Sequence, residues 1–285
     1  MSARATLFAT DPAQELRTWL QAHRSVFVLT GAGVSTNSGI PDYRGADGQW
    51  KRSAPITYQA FVQDPAMRAR YWARSFVGWP VVERALPNLA HAALALLEAQ
   101  GKTHMLVTQN VDGLHTRAGQ RAVLDLHGRI DQVACLACGE RLPRASVQSM
   151  LADAHPGWST VKAASAPDGD ADVDCLDLGG FRPPACPRCG GMLKPDVVFF
   201  GENVPRARIE AAAEALRRAD AMLVVGSSLM VYSGYRFARM AYEAGLPLAI
   251  LTRGVTRADG MATLKLHADC EVTLAAVADG IDTLL

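Results

Sequence analysis

The chain has 285 residues, 49% hydrophobic and 20% charged, enough for one large domain carrying a smaller module. Its 29 basic and 28 acidic side chains leave a net charge of +1, which excludes a global field that would hold nucleic acid or an anionic membrane. No apolar run approaches the roughly 20 residues needed to cross a bilayer, and the N-terminus around Arg4 and Asp11 lacks the apolar core of a secretory signal. A soluble, cytoplasmic protein that binds any anionic ligand locally is the expectation.

Taken in chain order, Asp11-Pro12 reads as an N-cap followed by proline in the first turn of a helix that runs to about His23. Residues 25–30 (SVFVLT) are short, apolar and β-branched and break into a glycine-rich turn, the strand-to-loop junction of a nucleotide-binding α/β fold. Residues 88–100 form an apolar-periodic helix ended by Gly101, and a strand over 104–108 delivers Gln109, Asn110 and Asp112 at its carboxyl end. Further strands are expected at 197–200, 222–225 and 247–251, with helices near 206–218 and 235–244 between them. Such alternation predicts a mostly parallel, doubly wound sheet.

Two segments interrupt this pattern. Residues 45–80 are rich in aromatics and arginine, and 135–194 contain two CxxC pairs; each is expected to contribute to a smaller subdomain. Residues 152–184, rich in Asp, Gly, Ala and Pro, read as an exposed insertion. Its acidic run (Asp168, Asp170, Asp172, Asp174) has Val173 where a calcium-binding EF-hand loop needs glycine, so a solvated loop is the expectation.

Three signals carry chemistry. In Gly31-Ala32-Gly33-Val34-Ser35-Thr36, directly after a strand, glycines let backbone N–H groups approach a pyrophosphate, with a following helix end favouring negative charge. Thr36 stands where the dinucleotide fingerprint of dehydrogenases wants its third glycine, and a plain structural turn is an alternative. The pairs Cys135/Cys138 and Cys186/Cys189, each followed by glycine, can present four thiolates tetrahedrally to a structural zinc, with metal-free thiols as the alternative. Such a site contributes on the order of 10–16 kcal/mol to folding a small module. Cys175 and Cys270, unpaired by spacing, read as packing residues. The third signal is TQNVDGLH (108–115) with LHG (126–128) downstream: amides and a carboxylate to hold an amide-bearing ligand and ribose hydroxyls, and His127 to take a proton. Taken singly, His127 also fits a structural histidine, and Asn110 or Asp112 a turn cap.

The motifs GAGVSTNSGIPDYRG, TQNVDGLH, LHG, the paired CxxC, KPDVVFFGE and GSSL, in this order over nearly the whole chain, resemble the sirtuin family. RYWARSFVGWP, APDGD, LKPDVVFFGENV and GSSLMVYSGYRF are most similar to its class II branch of bacteria and mitochondria. The resemblance implies a Rossmann-like NAD-binding domain over 1–44, 81–130 and 195–285. A cofactor loop and helical part would span 45–80, and a zinc-ribbon module 131–194. It implies an NAD-dependent protein lysine deacylase that consumes NAD, moving the acyl group of an acylated lysine to ADP-ribose; a eukaryotic source would place it in the mitochondrial matrix. Gly31, Ala32, Gly33, Asp42, Tyr43 and Arg44 would line the cofactor loop, and Gln109, Asn110 and Asp112 would hold nicotinamide and its ribose. Gly226, Ser227, Ser228, Thr252 and Cys270 would serve the phosphate and adenosine side. His127 would be the general base, with Asn110 beside it.

Thr252 departs from the asparagine of many relatives, and Arg253 is available to compensate. Tyr71 and Arg74 resemble a YxxR signature for acidic acyl groups; a packed tyrosine with a solvated arginine is the alternative. A mono-ADP-ribosyltransferase or NAD glycohydrolase using the same pocket stays open, as do a dehydrogenase and a zinc-ribbon binding module. The chain is expected to act as a monomer on protein substrates, without nucleic acid or membrane.

Overall fold

A computed structural model describes residues 11–45, 47–49, 51, 55–158, 160–161, 165–171 and 180–280. Cys175, Asp172, Val173 and Asp174 lie outside the described residues, as do the first ten. Helix α1 (Pro12–Gln21) opens as the cap signal predicts, with the Asp11 carboxylate accepting from the Ala13 N–H at 3.0 Å. Strand β1 (Val26–Thr30) is buried along its whole length, the mark of a strand covered on both faces. The helix expected directly after the glycine loop is absent; two 3₁₀ turns, Ala32–Val34 and Thr36–Ser38, take its place. Ser, Thr and Asn in succession bond locally to backbone and compete with a helix there.

Helices α2 (Tyr58–Gln63) and α3 (Pro65–Arg84) come next. The sequence ends this segment at Pro80, yet that proline sits inside α3. A proline removes the bond to the carbonyl four residues back, here that of Phe76. The Gln148 amide donates to that oxygen at 2.9 Å, so the orphaned acceptor is satisfied and the helix continues. Helix α4 (Leu89–Ala99) is capped by Asn88, and Gly101, at φ 74°, ends it. Strand β2 (Thr103–Thr108), helix α5 (Leu114–Arg117) and strand β3 (Val123–Asp125) complete the first half.

Strand β4 (Gly128–Cys135), strand β5 (Arg141–Pro143) and helix α6 (Arg144–Ala154) enter the small module. A short hairpin of β6 (Ser165–Ala166) and β7 (Asp170–Ala171) is next, then β8 (Leu193–Val197). The chain returns with α7 (Arg206–Arg217), β9 (Ala221–Val225), α8 (Tyr232–Glu243), β10 (Leu248–Leu251), β11 (Leu264–Leu266) and α9 (Cys270–Asp279).

The main sheet runs β11-β10-β9-β1-β2-β3 with every pairing parallel, as the alternation predicts. From β1 the chain steps outward to β2 and β3, then returns on the other side of β1 to β9. The strand order therefore reverses between β1 and β9, the point where open α/β sheets bind ligands. One face is covered by α1, α4 and α9 through Leu16, Leu94 and Leu274, the other by α7 and α8 through Leu216 and Phe237.

Three expectations change in the small module. The strand over 197–200 lies earlier, at Leu193–Val197, and pairs antiparallel with β4 in the sheet β5-β4-β8 instead of joining the parallel one. The apolar run that suggested it packs as a core, Phe199 lying 5.2 Å from Phe61 and 4.9 Å from Tyr71 between ring centroids. The insertion is not a solvated loop where it is described: Ala166, Gly169 and Ala171 are buried, and a Cβ on Gly78 of α3 would meet the Gly169 carbonyl at 2.4 Å. Asp170 of the acidic run is ion-paired to Arg74 at 2.7 Å. Among the described residues no helix is long and apolar enough to cross a membrane.

Candidate active site

A cleft of about 780 Å³ lies at the carboxyl ends of β1, β2 and β9, walled on the far side by the small module. Its floor is two loops pressed together. Gly31 N–H donates to the Val225 carbonyl at 3.1 Å and Gly33 N–H to that of Gly226 at 2.8 Å. A Cβ on Gly33 would stand 2.8 Å from Gly226 O, and one on Gly226, itself at φ +61°, would stand 2.4 Å from the Val34 nitrogen. The glycines thus serve the approach of one loop to another, and the N–H groups of Gly31 and Gly33 are committed to β9 and the residue after it instead of being aimed at a pyrophosphate. Ala32, Ser227 and Ser228 line the same floor. Leu229, at φ 56°, is the one described non-glycine residue in the left-handed region, a strained turn that closes this loop.

At one end of the cleft, Thr252 and Cys270 form the rim. Burial pushes the Cys270 thiol up to about 12, so it is a packing group and not a thiolate. Arg253 is held by Asp269 at 2.8 Å. The loop after the floor brings Asp42, paired with Lys51, and Arg44, which donates to the Gly48 carbonyl at 2.8 Å; the Tyr43 ring lies edge-on to Phe200.

Asn110 sits at the carboxyl end of β2, 7% exposed. Its amide donates to Ser35 Oγ at 3.0 Å, and Ser35 donates to Asp112 Oδ2 at 2.8 Å. The other Asp112 oxygen caps Leu114 N–H at 2.9 Å, so the turn-cap reading holds for this carboxylate while Ser35 ties it to Asn110. Asp112 stands behind Asn110 instead of in the cleft wall. Behind both lie His91 and His115, ring centroids 4.7 Å apart, each driven below the ordinary imidazole range by burial. Gln109 donates to Ser227 Oγ at 2.7 Å and joins the β2 end to the floor.

His127 lies on the step from β3 into β4, where the parallel sheet gives way to the small one. Gly128 makes that step possible: at φ +84° it passes so close to β8 that a Cβ would be 2.0 Å from Asp196 O. His127 Nδ1 is 2.8 Å from the Gln109 carbonyl, which can only accept, so Nδ1 carries the proton. Nε2 is then the lone-pair nitrogen and accepts from Ser233 Oγ at 2.8 Å. Burial lowers this imidazole's pKa, the Gln109 carbonyl opposes that, and Arg208 reinforces it. A neutral, oriented base facing a cleft is the result.

The four cysteines converge as their spacing predicts. All four sulfurs lie within 4.8 Å of one another, with Cys135–Cys189 at 3.6 Å and Cys138–Cys186 at 3.8 Å. A tetrahedral zinc with 2.3 Å bonds requires sulfur–sulfur edges of roughly 3.8 Å, so the donor set fits one ion. Gly139 and Gly190, at φ 73° and 71°, turn their N–H groups back to Cys135 and Cys186, and a Cβ on Gly191 would crowd Cys135 and Cys189 sulfurs. The four ligands leave no place for substrate, which makes the site structural.

Tyr71 and Arg74 line the cleft. Arg74 is not solvated, because its Nε and Nη2 each donate to an Asp170 oxygen at 2.7 Å. That bidentate pair corrects the solvated reading of this arginine.

A family model described as the Sir2 family matches residues 31–233, from the first glycine of the floor to Ser233. The chain belongs to the Sir2 family. It is 55% identical over 270 residues to an NAD-dependent protein deacetylase of Xanthomonas campestris pv. campestris, covering 95% of this chain and 92% of that protein. A Bordetella bronchiseptica protein of the same name is 57% identical over 264 residues, 93% and 96% of the two chains. Among solved structures, a Sir2–p53 peptide–NAD+ complex superposes with a TM-score of 0.74 at 31% identity, covering 95% of this chain and 98% of that one. Within this Sir2 fold, Ser35 and Ser233 are the site residues that sequence reading passes over. Ser35 is hidden inside the glycine motif, and Ser233 falls before the expected start of the helix at 235, whereas α8 begins at Tyr232.

Proposed function

We propose that this Sir2 chain is an NAD-dependent protein lysine deacylase that acts on acetylated lysine. It cleaves NAD to nicotinamide and moves the acyl group to ADP-ribose. The observation that carries the reading is His127: a neutral imidazole with its lone pair turned into a cleft at the sheet's switch point. NAD supplies the activated glycosidic bond whose breakage drives acyl transfer. Of the chain's own groups, Asn110 binds and orients at the β2 end, and Gln109 fixes the floor against it. His127 Nε2 takes the proton of a ribose hydroxyl, which raises that oxygen's nucleophilicity towards the acyl carbon. The two-loop floor of Gly31 to Gly33 and Gly226 to Ser228 supports the phosphate side, with Thr252 and Cys270 at the adenosine end. Asp42, Tyr43 and Arg44 close from above and exclude water.

Arg74 is occupied by Asp170, which favours a short neutral acyl group over an acidic one. We place the enzyme in the cytoplasm as a monomer acting on proteins. Mass spectrometry of products from an acetyl-lysine peptide with NAD tests the central reading. O-acetyl-ADP-ribose and free lysine are expected from the wild type, with a loss on the order of 10²–10⁴ in rate for His127→Ala. Full deacylation by a folded His127→Ala enzyme overturns the assignment, and ADP-ribosylated protein in place of O-acetyl-ADP-ribose overturns deacylation.

A further inference from the structure

Ser233 is the second residue of helix α8, and its hydroxyl occupies the one atom of His127 that has to receive a proton. The local sequence is built to bring it there. Gly234 beside it has no room for a side chain: a Cβ would meet Gln109 Oε1 at 2.3 Å. The start of α8 therefore docks on the same Gln109 whose carbonyl orients the other nitrogen of the imidazole. His127 is held at both nitrogens, by an acceptor that can only accept and by a hydroxyl that has to donate. Ser233 also lines the cleft, so an incoming ribose hydroxyl meets it at the base.

Resting on the reading of His127 as general base, we propose that Ser233 is the positioning residue that presents and guards the lone pair of His127 in the free enzyme, yielding it to the ribose hydroxyl when NAD binds. The direction of its effect follows from the geometry. A donor on the Nε2 lone pair stabilises neutral imidazole, so the proton that would disable the base binds at lower pH with Ser233 than without it. This contribution exists only before the ribose hydroxyl takes the nitrogen over. It therefore acts on kcat/KM, which reports the free enzyme, and not on kcat, which reports the complex. The charged groups around the ring stay in place when Ser233 is changed: Arg208 of α7 acts on the imidazole through space, and Arg236 of α8 and Glu202 after β8 line the same cleft.

The test is the pH dependence of both constants for NAD, on an acetyl-lysine peptide, from about pH 5.5 to about pH 8.5. Ser233→Ala is expected to move the acid limb of kcat/KM upward by about half to one pH unit, a three- to tenfold relative loss at the acid end, and to leave the acid limb of kcat where it is. Ser233→Thr, which keeps the hydroxyl, restores the wild-type limb. A uniform fall at every pH, an equal displacement of both limbs, or no displacement at all overturns the proposal. Nitrogen-15 NMR of His127 in the wild type gives a second measurement that survives a misfolded variant: Nδ1–H with a hydrogen-bonded, unprotonated Nε2 is expected, and the opposite tautomer overturns it. Activity retained by His127→Ala removes the base reading and this inference with it, whereas an unmoved limb in Ser233→Ala with inactive His127→Ala removes only this inference.

Discussion

The two sheets are stabilised by different means. The parallel sheet is covered on both faces, and strands such as β1 and β9 are buried at every residue, so burial alone accounts for its order. The sheet β5-β4-β8 has three strands, one of them only three residues long, and at its tip the chain is organised by four sulfurs. What burial does for the large domain, a metal does for the end of the small one. The cleft between them joins a self-sufficient half to a conditional one.

The difference is most easily broken from the metal side. Removing zinc with a chelator, or substituting Cys135→Ser, forfeits binding free energy on the order of 10 kcal/mol. We expect the small module to become protease-sensitive and activity to vanish, while circular dichroism retains the parallel sheet's cooperative transition. A single transition in which both halves melt together would show that the large domain is not self-sufficient.

Acid acts on the other half. His91 and His115 lie behind β1 and β2 with folded pKa values held below the ordinary imidazole value of 6.5, chiefly by burial. The unfolded chain binds the protons that the folded one refuses, so their contribution is fully present above the unfolded value. It is lost as pH falls below about 6.5 towards the folded values, at up to about 1.4 kcal/mol per pH unit for each histidine. Denaturant midpoints measured at falling pH should show this slope, and His115→Gln should flatten it; an unchanged slope would place the acid sensitivity elsewhere.

The smallest effect is expected at the seam. Asp170→Asn frees the Arg74 fork while keeping a side chain of the same shape, and should raise turnover of glutaryl-lysine peptides relative to acetyl-lysine about tenfold, one charged hydrogen bond's worth. Acyl preference identical to wild type would mean that Asp170 does not set it.

Legibility in the sequence tracks how local the determining physics is. The cap at Asp11, buried strands at β1 and β9, and the CxxC knuckles are decided by neighbours in the chain, and these are readable. The strands β3 and β11 are three residues each at the two edges of the sheet, too short to show a period. Pro80 looks like a helix end because the group that compensates for it, Gln148, is 68 residues away. The Arg74–Asp170 pair spans 96 residues and the His127–Ser233 bond 106, so each member alone reads as a solvated charge or an ordinary helix residue. In the site, residue types are legible from motifs, and the partners that set their protonation and availability are not.

The floor of the cleft has a consequence for redesign. Gly31, Gly33 and Gly226 are fixed by one another's backbones, and no side chain of any size fits between the two loops. Variants selected to accept an altered dinucleotide will therefore not arise from mutations in that floor, however close it lies to the ligand. The evolvable positions are those with space around them, Thr252 and the half-exposed rim beyond it, where a change of shape can be read by the ligand before it is felt by the fold.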